Sequence, residues 1–139
     1  MNRGHIESHV RQAVAEFDGI VSVYLFGSFA EDRAHRESDV DVGVLLYRER
    51  YPDETARFEQ RLSLSSALSL VDGRSADVVI LNDAPPTFAR TIVTRGARLV
   101  CRDAEKDRVF VRDVQLQAPD LERFLERMRA IKLETLGRQ

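Results

Sequence analysis

The chain has 139 residues, a formal net charge of −2, 43% hydrophobic residues and 32% charged ones. That length supports one domain around one hydrophobic core, and the composition excludes a disordered chain. The slightly negative charge excludes a sequence-independent nucleic-acid binder, which needs a cationic surplus to neutralise phosphates.

Helical spacing of Ile6, Val10, Ala13, Val14 and Phe17 predicts an amphipathic helix over residues 5–17. Asp18-Gly19 signals a turn. Ile20 to Phe26 is a β-rich run that ends at Gly27-Ser28, where a short helix is expected to begin. Residues 31–38 are strongly polar and should be exposed. Asp39 to Leu46 reads as a second strand. Pro52-Asp53-Glu54 marks a helix start, with Phe58, Leu62, Ala67, Leu68 and Val71 as its apolar face and Asp72-Gly73 as its end. Ala76 to Leu81 reads as a third strand. Pro85-Pro86-Thr87 opens a short helix with Phe88 and Ile92 inward, closed by Gly96. Ala97 to Cys101 fits a fourth, edge strand. Two further helices are expected, split near Pro119, the second carrying a stripe of Leu121, Phe124, Leu125, Met128 and Ile131. The order predicts an α/β (α+β) single domain over 1–139. A small mixed β-sheet flanked by helices forms a core at about 5–101, followed by C-terminal helices at about 102–136.

The lone cysteine, Cys101, cannot form an internal disulfide and reads as a small apolar residue. The N-terminus lacks the apolar core of a signal peptide, and no apolar run approaches a membrane span. A cytoplasmic protein without membrane contact is expected. His5 and His9 stand four apart on a helix, but no third ligand is near in sequence, so they read as surface histidines. His35 lies in the polar loop and has no assigned role.

Three features carry chemistry. Gly27-Ser28 lies between a strand and a helix start, where a glycine lets the backbone approach a ligand and free N–H groups suit a phosphate. Taken alone, it equally fits a serine N-cap after a turn. If phosphate sits there, Gly27 should tolerate no side chain. Asp39 and Asp41 are two apart on a strand, so they share a face while Val40 and Val42 enter the core. Their mutual repulsion is offset by a cation, and Mg²⁺ favours carboxylate and phosphate oxygens. Asp77 interrupts an apolar strand, where a carboxylate is expensive unless paired, metal-bound or facing water at an edge. Asp72 and Asp83 sit in turn-like contexts and are weaker candidates. A phosphate turn and carboxylates from successive strands are what two-metal phosphoryl chemistry requires, with ions about 3.5–4 Å apart.

These residues resemble the minimal nucleotidyltransferase (MNT) branch of the DNA polymerase β-like superfamily. The family pattern is Gly-Ser, a short gap, Asp-hydrophobic-Asp, then a third acidic residue on a later strand. Here it reads Gly27-Ser28-Phe29-Ala30, Ser38-Asp39-Val40-Asp41 and Asp77. Many relatives carry Arg-Gly after Gly-Ser-x-Ala, whereas this chain has Glu31-Asp32. The resemblance implies that Gly27 and Ser28 hold the triphosphate of ATP and that Asp39, Asp41 and Asp77 hold two Mg²⁺ ions. It further implies that Asp77 accepts the proton of the attacking hydroxyl. Chains of this size resemble the antitoxins of HEPN/MNT toxin–antitoxin pairs. The implied function is transfer of AMP from ATP to a tyrosine of a partner HEPN ribonuclease toxin, within a hetero-oligomer. The alternatives are transfer to a small molecule of the aminoglycoside type, and a non-enzymatic antitoxin that neutralises by binding.

Overall fold

A computed structural model describes residues 3–27, 30, 39–69 and 75–137, and for 119–122, 124, 125 and 132–137 it describes the backbone alone. The elements in chain order are α1 (Arg3–Val14), β1 (Ile20–Phe26), β2 (Val40–Leu46), α2 (Glu54–Leu68), β3 (Ala76–Ile80), a 3₁₀ turn (Leu81–Asp83), α3 (Pro86–Arg95), β4 (Ala97–Cys101) and α4 (Ala104–Gly137). The four strands form one sheet in the order β3-β2-β1-β4. β1 pairs antiparallel with β2 and β4, whereas β2 and β3 run parallel. A parallel pair needs a crossover, and α2 supplies it.

Each sheet face carries its own apolar layer. Ile6, Val10 and Val14 of α1 and Leu64 and Leu68 of α2 pack on Val23, Leu25, Val42 and Val78. On the opposite face Ala89 and Ile92 of α3 and Val114 of α4 pack on Val21, Tyr24 and Leu45. Helix α3 lies very close to the strands here. A Cβ at Gly43 would stand 2.9 Å from Ile92 Cγ2, so β2 needs the smallest residue at that point.

A buried carboxylate anchors α4. Asp107, 2% exposed, accepts hydrogen bonds from Ser22 Oγ (2.6 Å), Tyr24 OH (2.7 Å) and Arg98 Nη1 (3.0 Å). Three donors satisfy a charge that would otherwise be costly inside the protein. Burial, and then the bond to Asp107, push the Tyr24 hydroxyl well above its ordinary pKa. On the other side of the sheet, Arg57 makes a two-pronged ion pair with Asp83, tying α2 to the turn after β3. Asp83 is thereby spent on structure. α2 also covers the outer edge of β3: Ser65 Oγ donates to the Ala76 carbonyl (3.3 Å) and Arg61 Nε to the Val78 carbonyl (2.8 Å). Such cover keeps an edge strand from recruiting another strand.

The architecture is the small mixed sheet flanked by helices that the periodicity predicts, with four differences. The expected break near Pro119 is absent, and α4 runs unbroken from Ala104 to Gly137. An interior proline removes one backbone bond and crowds the preceding turn. The apolar spacing stays in phase across it, however: Val114 and Ala118 are buried on the face that the downstream stripe continues. Met128 and Ile131 of that stripe are exposed. Phe58 and Leu62 of α2, expected inward, are 52% and 54% exposed, and Phe88 of α3 is 41% exposed. Leu68 is buried as expected, and Arg57 and Leu64 complete the inward face of α2 in place of Phe58 and Leu62. Cys101, expected to behave as a small apolar residue, is exposed at the end of edge strand β4. The helix expected after Gly27-Ser28, and the loop bearing His35, lie outside the described residues.

Candidate active site

Strand pairing brings two of the three carboxylates together. Asp41 sits in β2 directly opposite Asp77 of β3 on one side and Phe26 of β1 on the other. Paired residues share a face, so Asp41 and Asp77 emerge side by side on the face that α3 covers further along. Asp39 precedes β2 by one residue and is exposed. Val40 and Val42 between and after them are 1% and 0% exposed, as the alternation requires. Asp77 is exposed on an edge strand and yet stands opposite Asp41. The water-facing, edge-strand reading of it from sequence therefore holds.

Gly27 follows β1 with φ +75°, in the left-handed region that favours glycine. A Cβ there would collide with the Asp41 carboxylate, its Oδ2 first and its Cγ at 3.2 Å. The Gly27 turn and the acidic pair thus belong to one locus. The sequence suggests phosphate as the reason for a glycine at 27, but the nearest neighbour a side chain would meet is Asp41. Ser28 lies outside the described residues, as does Asp72. Among the described residues, no three His, Cys, Asp or Glu side chains stand close enough to form a ready metal cage. His5 and His9 therefore gain no third ligand there.

The electrostatics fit a cation. Burial, then Asp77, then Asp39 push the Asp41 carboxyl up to about 6 from its ordinary 3.8. An anion half-withdrawn from water beside two like charges is a donor looking for a positive partner. The donors are all hard carboxylate oxygens, the set that Mg²⁺ takes while completing its shell with substrate phosphates and water.

A pH dependence follows. Between about pH 4 and 6 the folded protein holds a proton on Asp41 that the unfolded chain has lost. Metal-free stability should therefore fall as pH rises through that window. Asp41→Asn should raise the metal-free stability at pH 7, by on the order of 1 kcal/mol once solvent screening of a part-exposed group is allowed for. It should make no difference below pH 4. Thermal melts in chelator at both pH values check this, and a destabilised variant at pH 7 would contradict it.

A sheet end that gathers acidic residues from adjacent strands around a glycine turn is the arrangement that two-metal phosphoryl transfer requires. Residues 9–105 match the polymerase β nucleotidyltransferase family, which is more than half of the chain, and the chain belongs to that family. It is similar to the protein adenylyltransferase MntA of Shewanella oneidensis, 36% identical over 77 residues. That match covers 55% of this chain and 51% of the relative, about half of the relative's length. A solved toxin–antitoxin structure with AMP-PNP aligns over 98% of both chains, with TM-score 0.59 and 25% identity. A structure of a tri-AMPylated Shewanella oneidensis HEPN toxin with its MNT antitoxin aligns over 96% of this chain and 98% of that one, with TM-score 0.58 and 22% identity. The fold expected from the motifs is thus the fold observed. No described helix is long and apolar enough to cross a membrane.

The sequence did not single out the aromatic surface beside this site. Phe88 packs edge-to-face on Phe26, with ring centroids 5.9 Å apart, and Phe26 is the strand partner of Asp41. Helical spacing assigned Phe88 and Phe58 to the core. Phe58 lies off the Leu64–Leu68 face, which was the available signal for it; Phe88 stands four residues before buried Ile92 on nearly the same side of α3, so spacing carried no signal for its exposure.

Proposed function

We propose that this chain transfers AMP from ATP to a tyrosine hydroxyl of a partner HEPN ribonuclease toxin, and that it acts in this way as the partner's antitoxin in the cytoplasm. The observation that carries the reading is the register that sets Asp41 beside Asp77 with the Gly27 turn against it. ATP as the donor is supported by the AMP-PNP of a similar solved toxin–antitoxin structure, and a protein acceptor by the name of the similar adenylyltransferase. The HEPN class of partner comes from the resemblance of the motifs.

In this reading Gly27 and Ser28 hold the triphosphate, and Asp39, Asp41 and Asp77 hold two Mg²⁺ ions. Bound magnesium would supply neutralisation of the charge on the phosphoryl oxygens. Asp77 accepts the proton as the acceptor oxygen bonds to the α-phosphorus. The bond from that phosphorus to the bridging oxygen breaks, and pyrophosphate leaves. Intact-mass spectrometry of a co-expressed partner should show mass added in steps of one AMP. A partner that is neutralised yet never gains mass would replace transfer by masking.

ATP affinity should depend strongly on Mg²⁺, and calorimetry should show that dependence largely lost in Asp39→Asn/Asp41→Asn. The double variant should still fold, because it removes two mutually repelling charges. Unchanged affinity in it would refute the metal-site assignment.

A further inference from the structure

A groove of about 540 Å³ opens between α2, β3 and the start of α3. Its apolar wall includes Phe58, Val79, Pro85 and Phe88. Phe58 and Phe88 leave about half and two-fifths of their surface in water. Large side chains exposed together in a concave site mark a place for a partner group.

The groove is continuous with the candidate site. Its wall begins at Val78, the residue after Asp77. Val79 lies two residues beyond Asp77 on the same strand and shares its face. Phe88 reaches the site from the other side through its contact with Phe26, opposite Asp41.

Sheet order fixes which reactant lies here. In an in-line displacement the attacking and leaving oxygens stand on opposite sides of the phosphorus. In the AMP-transfer reading the Gly27 turn at the end of β1 holds the triphosphate, so the pyrophosphate would leave on the β1 side. Strand order β3-β2-β1 then puts the attacking oxygen over β3, on the side of Asp77. The acceptor must extend outward from there, into the groove.

The lining selects the acceptor's chemistry. Arg61, the one cation among the described lining residues, has its Nε engaged by the Val78 carbonyl, and Glu54 and Asp83 are acidic. A phosphate-bearing acceptor finds no cluster of positive charge among those described residues. Strand addition is also closed off, because Ser65 and Arg61 occupy the edge carbonyls of Ala76 and Val78. What fits is a flat, uncharged ring carrying a hydroxyl.

We propose that this groove is the acceptor site and that Phe58 and Phe88 grip the ring of the acceptor tyrosine on a partner protein; the proposal rests on the AMP-transfer reading above. The test uses the full chain with ATP, Mg²⁺ and N-acetyl-tyrosinamide, with the AMP ester quantified by mass spectrometry. Phe58→Ser and Phe88→Ser should each raise the KM for the amide at least tenfold, with the calorimetric Kd for ATP within twofold of wild type. Phe58→Tyr, which keeps a ring, should stay near wild type. Unchanged KM in both serine variants, with wild type active, would overturn the groove and leave AMP transfer standing. Weakened ATP binding would make the groove a base pocket and overturn the proposal. Better turnover of kanamycin than of the tyrosine amide would overturn it in favour of a cationic small molecule. No AMP on any tyrosine with wild type would remove the transfer reading and the groove together.

Discussion

Asp77→Asn should stop AMP transfer, by about 10²–10⁴-fold, while leaving a folded protein that still binds ATP. The carboxylate is exposed on an edge strand, and a surface change of that kind is ordinarily within about 0.5 kcal/mol of neutral. An amide has nearly the same shape but cannot take a proton from the attacking hydroxyl. In the proposed site Asp39 and Asp41 would remain to hold the cation, so ATP affinity should fall far less than turnover. A second effect distinguishes this variant from a merely unfolded one. Asp77 is the second-ranked cause of the raised Asp41 pKa, after burial. Its loss should move the Asp41 titration toward the ordinary carboxylate range, which carboxyl-resolved NMR of the metal-free protein can follow. AMP steps on a co-expressed partner at the wild-type rate in Asp77→Asn would take the proton-accepting role away from this residue.

The parts of this molecule that were legible in sequence are those governed by short-range periodicity. Val40 and Val42 alternate with Asp39 and Asp41, and the strand period of two forces opposite faces whatever the rest of the chain does. Asp53 caps α2 by accepting a bond from the Ala56 N–H, as its place before the helix suggests. The opposition of Asp41 and Asp77 was not legible, because it depends on parallel register across a crossover, a long-range property. Nor was the fate of Phe58 and Leu62. A helix pattern with several apolar residues admits more than one inward face. The choice fell to the burial of Leu64 and Leu68 and to Arg57, drawn inward by Asp83. Pro119 misled for a related reason. Its local penalty is real, but it competes with a helix face whose apolar spacing continues on both sides.

Gly27→Val should be the most damaging single change at the site, and the reason is double. Its φ of +75° is tolerated by glycine and strained for a β-branched residue, at a cost of about 1–3 kcal/mol. A new Cβ would also be driven against the Asp41 carboxylate, so that group must move. Misplacing a reacting group by about 1 Å can cost roughly 10²-fold in rate, and the bulk over the turn would further obstruct a phosphate. Activity should be lost, with a melting point lowered but a folded state retained. Gly27→Ala separates the two causes, since it carries the same Cβ with less bulk. In the wild-type background it should suffer both the backbone strain and the collision. In an Asp41→Ala background the carboxylate is gone, and only the strain should remain. The destabilisation caused by Gly27→Ala should therefore shrink when Asp41 is already alanine, a coupling that a double-mutant cycle of chemical melts reads directly. Equal penalties in the two backgrounds would show that the turn and the carboxylate are independent, and Gly27 would then owe its place to backbone conformation alone.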